Sequence, residues 1–201
     1  MALSKIQSES INLADNFAFT GTVSGTSGIK QTVVHQETTK SVTWTLPSTA
    51  GDLRHLTAAN CSDSTTKMEL AITPTSTSSK IFIMADMFYE ANANGHSILF
   101  TLIRDIGGTQ TRLGQADSGS NKRGGIAIAI NNYDGNYDST PDQVYLNFID
   151  EPNTTSEVKY ILAASSASAS TVLRLNTIYN TVSDTLDVEH GTSMMMAQEL
   201  G

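Results

Sequence analysis

Residues 72–105, ITPTSTSSKIFIMADMFYEANANGHSILFTLIRD, set the pattern of the chain. Two apolar runs, 81–89 and 97–103, flank a connector containing Asn and Gly and follow a turn of Ser, Thr and Pro, which predicts strand, loop, strand. In the second run Ile98, Phe100 and Leu102 alternate with Leu99, Thr101 and Ile103, so both faces carry apolar groups. A sheet buried on one face and partly covered on the other fits that alternation. The two runs are expected to form a hairpin at the centre of a β-sandwich, completed by strands elsewhere in the chain.

Upstream, residues 67–73 alternate Met68, Leu70 and Ile72 with Lys67, Glu69 and Ala71, predicting a half-exposed strand. Residues 31–45 are rich in β-formers and read as one strand or a strand pair bent around 37–40, with Val33, Val42 and Trp44 as buried anchors. The stretch LPSTAGDLRHL (46–56) predicts a turn and then a short helical turn or irregular crossing, with Ser48 placed to cap it. Downstream, Gly107-Gly108 marks a turn into a short returning strand at 109–113. Residues 125–130, 143–150, 157–164, 171–176 and 193–199 supply further short strands, the last placing Met195 on the face opposite Met194 and Met196. About nine or ten short strands, spaced roughly 8 to 15 residues apart with no helical period, predict an all-β sandwich or jelly roll.

Residues 1–28 behave differently. Ile11, Leu13, Phe17, Phe19 and Val23 are spaced mostly by two between glycines, and a short segment cannot bury two phenylalanines on itself. The division expected is an extended N-terminal attachment arm (1–28) that docks these side chains on a partner, followed by the sandwich domain (29–201). The competing assignment makes the segment the first strand of the sandwich.

Composition narrows the function classes. Twelve basic residues against twenty acidic ones leave a net charge of −8, with acidic residues gathered around Asp134, Asp138, Asp142, Asp150, Glu151 and Glu157, which disfavours nucleic-acid binding. Cys61 is the only cysteine, so neither an intrachain disulfide nor a CxxC metal site is available. No apolar run approaches membrane-spanning length and no apolar signal region follows Lys5, so a soluble product made in the cytoplasm is expected.

Candidate chemistry concentrates in NNYDGNYDSTPD (131–142). Asn132, Asp134, Asn136 and Asp138 alternate there, an oxygen-rich spacing reminiscent of a cation loop but lacking the Glu at the twelfth position of an EF-hand. Tyr133 and Tyr137 between these polar groups suit a carbohydrate contact, with rings stacked on sugar C–H groups and amide or carboxylate oxygens on the hydroxyls. The plainer alternatives are a solvated turn and tyrosines that pin the loop to the sheet. Catalytic patterns are weak. His35, His55, His96 and His190 are scattered with no HxH or HExxH pair, no GxSxG elbow surrounds any serine, and no phosphate-binding glycine loop is present. Asp150 and Glu151 are adjacent on a strand and point to opposite faces, a poor arrangement for glycoside hydrolysis. No catalytic residue, metal or cofactor is expected.

The stretches INLADNFAFTGTVSG, TLPSTAGDL, ITPTSTSSKIFIMADMFYE, FTLIRD, YLNFIDEPNTTSEVKYIL and HGTSMMMAQEL resemble surface proteins of tailed-bacteriophage virions, especially of marine phages. In these a tail-fibre-like N-terminal segment precedes a jelly-roll domain similar to the C1q and tumour-necrosis-factor architecture. The resemblance implies a non-enzymatic virion structural protein, a homotrimer attached through the arm to other tail or capsid proteins, without membrane insertion. It implies a short tail or head fibre touching host surface glycan, or alternatively a capsid decoration protein that stabilises the head shell. A glycan depolymerase is a third class, and no pair of separated carboxylates points to it. Phe88, Tyr89, Phe148 and Met194–Met196 are the outward apolar residues expected to need cover, from a three-fold axis or, in the plainer alternative, from the core of a monomer.

Overall fold

The computed structural model describes residues 28–49, 52–92, 98–115, 124–129, 140–178 and 189–201. Twelve strands run through them: β1 (Ile29–Glu37), β2 (Thr43–Thr45), β3 (Arg54–His55), β4 (Glu69–Ile72), β5 (Lys80–Ala91), β6 (Leu99–Ile106), β7 (Thr109–Arg112), β8 (Ala127–Ile128), β9 (Asp142–Asp150), β10 (Val158–Ser165), β11 (Val172–Leu175) and β12 (Ser193–Leu200). A single 3₁₀ turn, Ala58–Asn60, is the only helical element among the described residues.

All pairings between the strands are antiparallel, and they build two sheets. In the first, β12 and β11 lie along one edge of β5 and β9 along the other, with β1 outside β12 and β2 outside β11. In the second, β10 pairs with β4 and β3 on one edge and with β6 on the other, and β6 carries β7 and β8. The sheets enclose one core. Ile81, Ile83, Met87 and Tyr89 of β5 meet Phe100 and Leu102 of β6 and Tyr160 and Leu162 of β10, all buried. The Tyr89 and Phe100 rings contact each other with centroids 5.3 Å apart in a tilted arrangement.

The period-two segments become strands as expected, and the Gly107-Gly108 turn has positive φ at both glycines, as a tight hairpin requires. The central hairpin does not form. β5 and β6 stand in different sheets and do not pair with each other. Burial gives the reason: the inward faces of both strands meet each other across the core. Ile103 on the outer face of β6 joins a small second cluster with Ile161 and Ala163, against which Leu53 packs. The bend expected within 31–45 separates β1 from β2, with Ser41 at φ 68°. Val42 and Trp44 are buried there, whereas Val33 is only half-buried. Among the described residues no helical element opens at Ser48; the 3₁₀ turn begins ten residues later, preceded by Thr57, whose side chain makes no capping bond.

Candidate functional site

Two surfaces stand out among the described residues, and the first is the outer face of the first sheet. Its residues fall in rows set by the strand register. One row runs Val34, Met196, Met84 and Asn147 across β1, β12, β5 and β9; its neighbours run Thr32, Gln198, Phe82 and Ile149, and Gln36, Met194, Asp86 and Tyr145. Val34, Met84, Tyr145 and Ile149 are 54%, 37%, 65% and 53% exposed, an apolar content that an outer face does not need for its own fold. The charge within these rows is Asp86, whose carboxylate accepts both contacts from the Gln143 amide, at 2.8 and 3.0 Å. Of the outward residues expected, Met194, Met196 and Phe88 alternate out of the core, half-buried. Tyr89, Phe148 and Met195 turn inward instead, because each shares the phase of the core residues on its own strand.

The second surface is a recess of about 290 Å³ where the edges of the two sheets approach each other. Thr43 and Thr45 come from β2, Arg54 from β3, and Ala59, Asn60 and Ser62 from the 3₁₀ turn and the loop after it. Arg54 is fixed at two points: Nε–H donates to the Thr45 carbonyl at 2.8 Å and Nη1–H to the Asn60 Oδ1 at 3.3 Å. Asn60 is held in turn, its Nδ2 donating to the His55 carbonyl and the Thr57 hydroxyl. Ser62 Oγ accepts the Thr43 N–H at 3.0 Å. Cys61, nearly buried, also lines the recess, and burial raises its thiol to about 11, which makes it a poor nucleophile.

The remaining polar clusters serve as internal ties. Glu199, fully buried on β12, accepts Ser79 Oγ–H (2.6 Å), Thr75 Oγ1–H (2.6 Å) and Thr75 N–H (2.8 Å) on one oxygen, and Gln31 Nε2–H (2.6 Å) on the other. Burial alone would raise this carboxyl; the donors from Ser79, Thr75 and Gln31 outweigh it and bring it to about 2. Asp150 accepts Arg104 Nη1–H at 2.9 Å and Tyr160 Oη–H at 2.8 Å. Burial and then the Asp150 charge push the Tyr160 phenol well above its ordinary range. Glu151, its neighbour, points out to Lys80 at 2.8 Å, so these two carboxylates do not share a site. Glu90 is buried and accepts the Thr140 N–H and hydroxyl; burial, with the Glu90 charge second, raises Asp142 to about 6. Asn176, at φ 56°, donates to the carbonyls of Glu37 and Thr39 and accepts Ser193 Oγ–H, so this serine hydroxyl is spent on structure, while His190 is exposed.

His35 Nε2 lies 2.8 Å from the Lys67 carbonyl, and His55 is lowered by burial and by Arg54. Among the described residues, no three His, Cys, Asp or Glu side chains are grouped to hold a metal ion. The arm residues Ile11, Leu13, Phe17, Phe19 and Val23 and the loop residues Asn132, Tyr133, Asp134, Asn136, Tyr137 and Asp138 lie outside the described residues, as does His96. Val34, Met84, Tyr145 and Ile149 are not singled out by sequence pattern alone, although the last two sit out of phase with buried Val144 and Leu146 on one strand. The residues of the Arg54 recess come from three separate segments and carry no joint pattern.

No protein-family model matches the chain, and no curated protein matches it in sequence.

Proposed function

We propose that this chain is a non-enzymatic structural protein of a tailed-bacteriophage virion, a C1q/TNF-like jelly roll assembled as a homotrimer and displayed on the particle as a short tail or head fibre. The observation that carries the proposal is the pairing order of its eight main strands. Taken in chain order as first to eighth (β1, β4, β5, β6, β7, β9, β10, β12), they pair first with eighth, second with seventh, third with sixth and fourth with fifth. That is a long antiparallel ribbon. Its two halves are then joined by the pairings of eighth with third and of seventh with fourth, which wrap the ribbon into two sheets. Such wrapping is how a double-sheet jelly roll closes, an architecture that viral capsid and lectin domains use.

The apolar rows on the outer face of the first sheet support self-association. A face bearing Val34, Met84, Met196 and Ile149 with little charge is what a homo-oligomer interface presents, and a second and third copy are the occupants proposed for it. Residues 1–28 are assigned to attachment on other virion proteins. Contact with a host glycan is then made by the outward loops, weakly per site and strengthened by three copies and by many trimers per particle.

Gold-labelled antibody to this chain, imaged on purified particles, tests the assignment. Label on the tail, or at discrete points projecting from the head, is the expected result. Dense label over the whole head would move the assignment to capsid decoration. Particles that lack the label and lack the chain on a gel would overturn it.

A further inference from the structure

The recess at the sheet edges has the composition of a ligand subsite rather than of a packing defect. A guanidinium carries five N–H donors. Two of those of Arg54 are spent, on the Thr45 carbonyl and on Asn60, and they fix the plane of the group. The remaining donors form an edge whose natural partner is a group with two equivalent oxygens, since two parallel charge-assisted hydrogen bonds then form at once. Among the described residues no acidic side chain lines the recess to neutralise this edge, in a chain whose net charge is −8. Asp63, next along the loop, is occupied by Thr65 and Thr66.

The surroundings narrow the ligand further. Thr43, Thr45 and Ser62 supply hydroxyls, and hydroxyls match the alternating donors and acceptors of a sugar. The volume, about 290 Å³, lies at the foot of the roughly 300–1,000 Å³ range of ligand pockets, enough for one sugar unit rather than a chain of them. Among the described residues no aromatic face lines the recess, because Trp44 between the two threonines is buried in the core. Recognition by ring stacking is therefore absent, and charge has to supply the selectivity. The walls are held before any ligand arrives: β2 pairs with β11, Arg54 pairs with Ala164 of β10, and Asn60 is tied to His55 and Thr57. Little ordering is left to oppose binding.

We propose that this recess binds a single anionic sugar unit, its carboxylate or phosphate on the free edge of Arg54 and its hydroxyls on Thr43, Thr45 and Ser62. The inference deepens the host-contact part of the function proposed above and rests on it only for where such a sugar would be met.

The test is a titration of the intact ¹⁵N-labelled chain with sodium glucuronate, glucose 6-phosphate and glucose in separate arms, followed by TROSY spectra. Either acid sugar, or both, should shift the Arg54 Nε–H and the Asn60 side-chain amide saturably, and glucose should not; the tighter of the two identifies the acid group. Arg54→Gln should weaken that binding by about tenfold or more, as the loss of a charge-assisted hydrogen bond does. Arg54→Lys, which keeps the charge and loses the fork, should fall between them. Because the mapping on the unsubstituted chain needs no variant, a poorly folded substitution does not blunt the test. Absence of saturable shifts, equal response to glucose, or shifts that spare Arg54 and Asn60 would overturn the proposal. Binding in solution does not depend on particle labelling, so failure of either result leaves the other standing.

Discussion

Glu199→Gln probes the tie that fastens the last strand to the rest of the first sheet. The native carboxylate collects four hydrogen bonds from Thr75, Ser79 and Gln31, and the turn holding Thr75 and Ser79 leads into β5. Between the ordinary carboxyl value of 4.5 and the folded value of about 2, at about 1.4 kcal/mol per pH unit, linkage gives an upper limit of about 3 kcal/mol. The substitution keeps the shape, removes the charge and sets an amide against the Gln31 amide. Because the folded value is depressed, the stabilisation is fully present above about pH 4.5 and is lost as the pH falls toward 2. Urea unfolding of both proteins at fixed concentration, in steps from pH 7 to pH 2, should therefore show a deficit of about 2–3 kcal/mol at neutral pH. That deficit should shrink toward zero at the acid end. A deficit of the same size at both ends would mean that shape rather than charge matters, and no deficit at pH 7 would refute the reasoning outright.

Three further outcomes follow from the same geometry. Arg104→Met leaves Asp150 buried with only Tyr160 as a partner and should cost about 3 kcal/mol in thermal or urea unfolding, whereas the double change Arg104→Met with Asp150→Leu should recover much of it; equal losses in both would show that the ion pair is not what matters. Met84→Glu puts a charge at the centre of the outer apolar rows, where the isolated chain can solvate it, so the far-ultraviolet circular dichroism should stay unchanged while association falls at least about a hundredfold by analytical ultracentrifugation. Cys61 should react with a thiol reagent at pH 8 only on the timescale of unfolding, since its thiol is buried and raised to about 11; a fast native-state reaction would contradict that placement.

Much of the fold was legible because strand alternation is a local signal. β9 and β12 show it plainly: DQVYLNFID and SMMMAQEL bury every second residue along most of their lengths, and the phase of Met195 against Met194 and Met196 could be read directly. The same signal placed Tyr89 with Ile81, Ile83 and Met87, so treating it as outward ignored a phase that was available. What alternation cannot say is which sheet a strand joins. β5 and β6 are consecutive in sequence, and only the long-range pairings with β12, β9 and β10 send them to opposite sides of the core. Two-residue strands such as β3 and β8 fall below the length at which a period can be seen. The Arg54 recess was illegible for a related reason: it exists only once the edges of both sheets are brought together. The apolar outer face lay between these cases, since Tyr145 and Ile149 were visible as out-of-phase residues but their neighbours across the sheet were not.

The trimer is the claim on which display, avidity and the role of the outer face all depend, and the mass of the purified full-length chain in solution tests it most directly. Light scattering across a dilution series should give about three times the 21.5 kDa of one chain, persisting to micromolar concentration. A mass of one chain throughout that series would contradict the account.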